Sequence, residues 1–384
     1  MPEFSVQGDI APGFEPVAEV FADLQRALPQ GAALAVYRDG EPLLDIWAGA
    51  RDKAGELPWV ADTRVNIFSA GKPLVAIAVL QLAAKGVLSL NQPIADFWPE
   101  FGANGKASVT IEQVLCHRSG VNAFHTRVAD AAIFDPAQVR ALVAAEQPWW
   151  TPGEAQGYSP ILYGWILAEL VRRASGAANF NEYFQQQIAA PLALGIAFGV
   201  PEAEQSLLAE VGAIRGAKAE QGVLQLGRAM KDDPQGVVNK AFTNPMSLMV
   251  GTNGAAWRGA EIPAANGHAS ARDLARVYDA LISGEQLLPL AQREACWLER
   301  SSGDDRVLQT PMRFSLGFML TQEGGDRRLG RGARAFGHAG AGGCLGFADP
   351  DYNLSFAFVS NQMAQSLLID SRAERLINAL YQVI

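Results

Sequence analysis

A chain of 384 residues suffices for one large domain or two smaller ones, and 49% hydrophobic with 18% charged residues describes a globular protein with a sizeable core. The net charge of −9 and the absence of any Lys/Arg run argue against nucleic acid and anionic membrane as partners. No apolar run approaches the roughly 18 residues of a membrane span. Met1-Pro2-Glu3-Phe4 lacks the basic and apolar regions of an export signal, and three scattered cysteines, Cys116, Cys296 and Cys344, fit reduced thiols, so a cytoplasmic protein is expected. Neither the cysteines nor His117, His125, His268 and His338 have metal-ligand spacing, so no metal and no cofactor is expected.

In chain order, Pro12 to Leu28 carries Phe14, Val17, Val20, Phe21, Leu24 and Leu28 at helical spacing, which predicts an amphipathic helix. Gly31 to Tyr37 and Pro42 to Ala48 flank Asp39-Gly40, a hairpin signal. A polar connection leads to an apolar helix behind Ser69 that ends near Lys85-Gly86. Thr110 and Gln113 predict a capping box on a short helix reaching Cys116, and His117-Arg118-Ser119-Gly120 a turn. Asp135-Pro136 opens a helix to about Glu146, and Ser159-Pro160 reads as N-cap and first residue of a helix to Gly176. Another helix is expected from about Asn181 to Ile188, and loops with short helices from Glu202 to Lys240. Ser270 caps a helix closed by Gly284. Strands are expected at Arg313 to Leu320, Ala335 to Gly340, Cys344 to Ala348 and Leu354 to Ser360, and a closing helix at Ser371 to Val383.

Strands joined by tight turns imply an α+β fold built on an antiparallel sheet, which the two ends of the chain share and which helices from both ends flank. The mostly helical middle is an insertion. The expected division is a discontinuous sheet domain, 1–90 with 250–384, and a helical domain, 91–249, with the active site between them.

The chemistry starts at Phe68-Ser69-Ala70-Gly71-Lys72-Pro73, the one Ser-x-x-Lys of the chain. Pro73 places Ser69 near a helix start. Residues three apart share a helix face, so the Lys72 amine can reach the Ser69 hydroxyl. A serine needs a base to become a nucleophile, and lysine serves only when neutral. The helix start also offers free N–H groups to a developing oxyanion. The tetrapeptide alone is equally a surface Ser and Lys at helical spacing.

Ser69-x-x-Lys72, a Tyr158-led segment and His338-Ala339-Gly340, in that order, resemble the serine β-lactamase and penicillin-binding-protein superfamily, nearest to class C β-lactamases and family VIII carboxylesterases. Supporting phrases are His117 to Gly120, Pro152-Gly153-Glu154, Tyr163-Gly164-Trp165, Glu261 to His268 and Gly337 to Gly343. The likeness spans roughly Pro12 to Asn361. It implies Ser69 as nucleophile, Lys72 as its base, and Tyr158 as the phenol that shares the proton and hands it to the leaving oxygen. A lysine ammonium beside that phenol would lower the tyrosine pKa. It also implies an oxyanion hole from the backbone N–H groups of Ser69 and Ala341, with His338, Ala339 and Gly340 against the substrate. Trp149 and Trp150 are candidates for the acyl pocket, with packing as the competing role.

Two departures bear on substrate. Tyr158-Ser159-Pro160 stands where lactamases have Tyr-x-Asn, and His338-Ala339-Gly340 where they have Lys-Thr-Gly. The groups that would hold a β-lactam amide and carboxylate are absent. The expectation is a serine carboxylesterase acting on small, short-chain, uncharged esters. The alternatives are a β-lactamase, a D-amino-acid peptidase or amidase, an acyltransferase, and a non-catalytic ligand-binding homologue. A Ser-His-Asp reading of His338 lacks a Gly-x-Ser-x-Gly elbow.

Overall fold

The computed structural model describes residues 5–28, 30–246, 251–322 and 328–384; the expectation for Met1–Phe4 lies outside them. The fold is α+β, with an antiparallel sheet flanked by the terminal helices and a largely helical insertion. The sheet has nine described strands: β1 (Gln7–Ile10), β2 (Ala32–Arg38), β3 (Glu41–Ala48), β4 (Ser301–Asp304), β5 (Pro311–Phe314), β6 (Met319–Leu320), β7 (Phe336–Ala339), β8 (Leu345–Asp349) and β9 (Leu354–Ser360). Their spatial order is β1-β3-β2-β9-β8-β7-β6-β5-β4. The pairing of β2 with β9, Ala32 opposite Ser360 and Tyr37 opposite Ser355, joins the two ends of the chain.

The hairpin between β2 and β3 turns at Asp39-Gly40, both with positive φ, the geometry that matches strand twist. Helix α1 (Glu15–Ala27) packs with the last helix of the chain on one sheet face, over Leu34, Val36, Phe356 and Phe358. The alternate residues Ala33, Ala35, Ala357 and Val359 face the other way, and their small side chains let a helix approach closely.

Helix α2 (Lys72–Ala84) is buried from Lys72 through Leu82, as a sequence apolar on every face apart from Lys72 and Gln81 requires. Against it packs α4 (Leu162–Ser175), and α3 (Pro136–Ala145) packs in turn on α4. Farther on come α5 (Gln221–Asp232), α6 (Val237–Thr243), α7 (Ala271–Ser283), which packs on β2, β8 and β9, and α8 (Ser371–Val383), the partner of α1. The Thr110 capping box and the Ser270 cap form as expected.

Three expectations change. Arg313–Leu320 is two strands, β5 and β6, because Gly317 turns the chain at φ +91 and the Ser315 N–H donates to the Phe318 carbonyl. Helix α4 starts at Leu162, two residues late, with the Ser159 hydroxyl accepting the Tyr163 N–H at 3.0 Å. The stretch 202–240 holds a real helix, α5, and most of α6 lies at its end. No helix among the described residues is long and apolar enough to cross a membrane.

Candidate active site

Ser69 sits on a single 3-10 turn, Phe68–Gly71, and Lys72 is the first residue of α2. Side chains three apart eclipse in 3-10 geometry, which sets the two side by side. Phe68 holds φ at +49, a strained value for a bulky residue, immediately before Ser69.

The Lys72 amine is wholly buried. It donates to the Ser69 hydroxyl at 3.0 Å, to the Pro160 carbonyl at 2.8 Å and to the Ala264 carbonyl at 3.0 Å. Among the described residues no carboxylate shares this site with it, and burial holds its pKa well below the ordinary lysine value. The amine also lies 4.8 Å from the centroid of the Tyr158 ring. The Tyr158 phenol hydrogen-bonds the Ser69 side chain, and burial, the main cause, raises its pKa. The expected lowering by a neighbouring ammonium does not appear. Desolvation acts on both groups and favours a neutral amine beside a neutral phenol, which makes one a base and the other an acid.

Tyr158 is held by its backbone. Asp305, in the loop after β4, accepts the Tyr158 N–H at 2.9 Å and the N–H groups of Val307 and Leu308 at 2.9 and 2.8 Å. On the other side His117, itself at φ +59, accepts the Gly157 N–H through its carbonyl and the Ser159 N–H through Nδ1. The His117 ring packs 4.8 Å from the Tyr158 ring, and burial pushes its pKa well down, so it stays a neutral acceptor.

The end of β7 lies against the Ser69 turn. A Cβ on Gly340 would stand 2.3 Å from the Ile67 carbonyl oxygen, so this approach requires glycine. Ala341 follows, and it lines a cavity of about 320 Å³ together with Ser69 and Tyr158. Phe68, Ile161, Leu226, Phe242 and Trp257 supply much of the remaining wall, and no charged side chain lines it among the described residues.

The structure thus brings together Ser69, Lys72, Tyr158 and Ala341. Of the remaining candidates, Ala339 lines the cavity, whereas His338 and Gly340 do not. Strand alternation points the His338 side chain away from that of Ala339, with its ring 6.0 Å from the Tyr158 ring; its Nδ1 lies 2.7 Å from the Ala339 carbonyl, and its buried Nε2 has no hydrogen-bond partner among the described residues. Burial drops its pKa to about 3. Trp149 and Trp150 are likewise absent from the cavity wall. Trp149 stacks on His125 at 3.8 Å and donates to the Ala123 carbonyl. Trp150 donates to the Ala155 carbonyl and covers Gly157, where a Cβ would meet its ring at 2.4 Å. They brace the segment leading to Tyr158. Asp305 carries no motif, whereas the two carbonyls that hold Lys72 belong to stretches the sequence singled out, Tyr158-Ser159-Pro160 and Glu261 to His268.

A family model described as Beta-lactamase matches residues 21–379. Esterase/beta-lactamase LipL of Mycobacterium tuberculosis is 32% identical over 351 residues, 89% of this chain and 80% of that protein. Among solved structures, a penicillin-binding-protein homologue from Caulobacter crescentus is 34% identical with a TM-score of 0.88, covering 99% of this chain and 100% of that one. A family VIII carboxylesterase is 32% identical with a TM-score of 0.87 over the same shares. These likenesses support a serine-hydrolase activity of esterase type. With the fold, the match over nearly its whole length places this chain in the β-lactamase family, within the superfamily of serine β-lactamases and penicillin-binding proteins.

Proposed function

We propose that the protein is a serine carboxylesterase hydrolysing short-chain, uncharged carboxylic esters through an acyl-enzyme on Ser69. The observation that carries this reading is a neutral-leaning amine and a neutral-leaning phenol on one serine hydroxyl, in a cavity with no charged side chain on its wall among the described residues. With it goes the division of the chain into a sheet region, 1–90 with 250–384, and a helical region, 91–249, the cavity lying at their seam.

The Ser69 oxygen attacks the ester carbonyl carbon while the Lys72 lone pair takes the hydroxyl proton. The backbone N–H groups of Ser69 and Ala341 receive the oxyanion. As the intermediate collapses, the carbon–oxygen bond to the alcohol breaks. The Tyr158 phenol gives its proton to the departing oxygen and recovers one from Lys72. Water then attacks the acyl-enzyme, loses its proton to the same pair and releases the acid and Ser69.

A lactam carboxylate would find no cation on the cavity wall among the described residues. The M. tuberculosis relative carries both activities in its name, so a cephalosporin belongs in the test. Purified protein should hydrolyse p-nitrophenyl acetate and butyrate much faster than the cephalosporin; equal or faster cephalosporin turnover overturns the ester assignment. Ser69→Ala should abolish turnover and labelling by an organophosphate, read as loss of the adduct in intact-mass spectra. Persistent labelling would put the nucleophile elsewhere.

A further inference from the structure

The cavity over Ser69 shares a wall with a second space. Leu308, Met319, Ala339, Leu367 and Leu368 line both it and an adjoining chamber of about 290 Å³. The partition is made of apolar side chains. Ala339 contributes only a methyl, Met319 is an unbranched thioether with freely turning bonds, and Leu367 and Leu368 are partly exposed. Beyond the partition the chamber runs over Met312, Leu329 and Ile369, and it reaches a polar rim where Gln221 and Gln225 of α5 are exposed.

We propose that this chamber is a tail site. The ester taken by Ser69 carries an unbranched apolar chain of medium length, which displaces the Met319 and leucine side chains and runs into the second chamber toward the rim. The proposal rests on the Ser69 esterase reading and extends its substrate class. Each methylene withdrawn from water should strengthen binding roughly fourfold. Because the rim is open, the gain should level off rather than reverse. The chain can belong to the acid or to the alcohol, and two substrate series separate these.

p-Nitrophenyl esters from acetate to decanoate vary the acid, and acetates of hexanol, octanol and decanol, followed by acid release, vary the alcohol. In one of the two series kcat/KM should rise at least tenfold between two and eight carbons and then level. Gly222 lines only the second chamber, and a Cβ there would meet nothing closer than Leu367 at 3.5 Å, so Gly222→Phe adds a ring without backbone strain. It should lower the octyl-to-acetyl ratio of kcat/KM at least tenfold in the responding series. Thr310→Phe, another residue of that chamber, should do the same from a different element. Rates that fall beyond four carbons in both series, or a ratio that neither variant moves, overturn the tail site. If acetate is turned over through Ser69 in that case, the esterase reading stands alone. If no ester is turned over at all, that reading fails first and the tail site with it.

Discussion

At the scale of single residues, the state of Lys72 follows from its partners. Its ammonium has three N–H groups and meets three acceptors, the Pro160 and Ala264 carbonyls and the Ser69 hydroxyl. After losing one proton it still satisfies both carbonyls, and its lone pair faces Ser69. Neither form strands a carbonyl, so the amine can cycle between them. Because the base form is needed, kcat/KM should rise with pH through one apparent pKa lying well below the ordinary lysine value of 10.5. His338, lowered to about 3, and His117, held well down, should add no inflection between pH 5 and 7. A rate profile that climbs only above pH 10 would contradict this. Lys72→Arg keeps a charge that cannot leave, and it should lower kcat about 10²–10⁴-fold. Asp305 acts through Tyr158 as a positioning residue. Asp305→Ala strips one acceptor from three backbone N–H groups, each unsatisfied donor costing about 1–3 kcal/mol. Its kcat should fall more than its KM rises, with a lower Tm. Asp305→Asn retains a carbonyl oxygen and should recover most of kcat; equal losses in both variants would rule out this role.

At the scale of elements, the critical contact is the end of β7 against the Ser69 turn. Gly340→Ala must open a gap at the Ile67 carbonyl, because backbone on both sides cannot yield locally. The overpacking should cost about 1–3 kcal/mol. If the Ala341 N–H moves off the oxyanion, kcat should drop about 10²–10³-fold. Melting curves and steady-state kinetics check both, and an unchanged kcat would remove Ala341 from the oxyanion hole. Elements whose signals are local were legible in the sequence. The Asp39-Gly40 hairpin, the Thr110 capping box and Ser371–Val383 each follow from residues within a few positions of one another. The misread elements are those a distant contact decides. Alternation favoured one strand over 313–320, yet a Cβ at Gly317 would meet Ala76 of α2 at 2.2 Å, and the chain turns there. Ser159-Pro160 looked like a helix start, yet the Pro160 carbonyl is held by Lys72 and the helix begins after it. The edge strand β4 is polar and largely exposed, so periodicity gave no sign of it. Ser69, Lys72 and Tyr158 could be picked out because they fall in ordered motifs, whereas Asp305 acts through backbone hydrogen bonds that leave no pattern.

At the scale of the whole molecule, the last helix reaches back to the site. Asp370 caps α8 by accepting the N–H groups of Arg372 and Ala373. Its other oxygen pairs with the Arg372 guanidinium at 2.6 Å, and both side chains are almost fully buried. Arg372 then donates to the Gly342 carbonyl at 2.7 Å, in the turn that carries Ala341. In that turn Gly342 and Gly343 both hold positive φ, and a Cβ on Gly343 would strike Asp370 at 2.1 Å. The turn is therefore shaped around the ion pair, and the closing helix fixes an N–H group proposed for the oxyanion. Arg372→Met should destabilise the protein by about 3–5 kcal/mol, since it leaves a buried carboxylate without its cation. It should also lower kcat, because the Gly342 carbonyl loses its anchor. Asp370→Asn combined with Arg372→Met removes the stranded charge and keeps an oxygen for the cap. The double variant should regain much of the lost Tm while kcat stays low. That divergence between stability and turnover in a double-mutant cycle is the signature of a positioning role. If kcat returns in step with Tm, the pair serves stability alone and the oxyanion turn holds its shape without it.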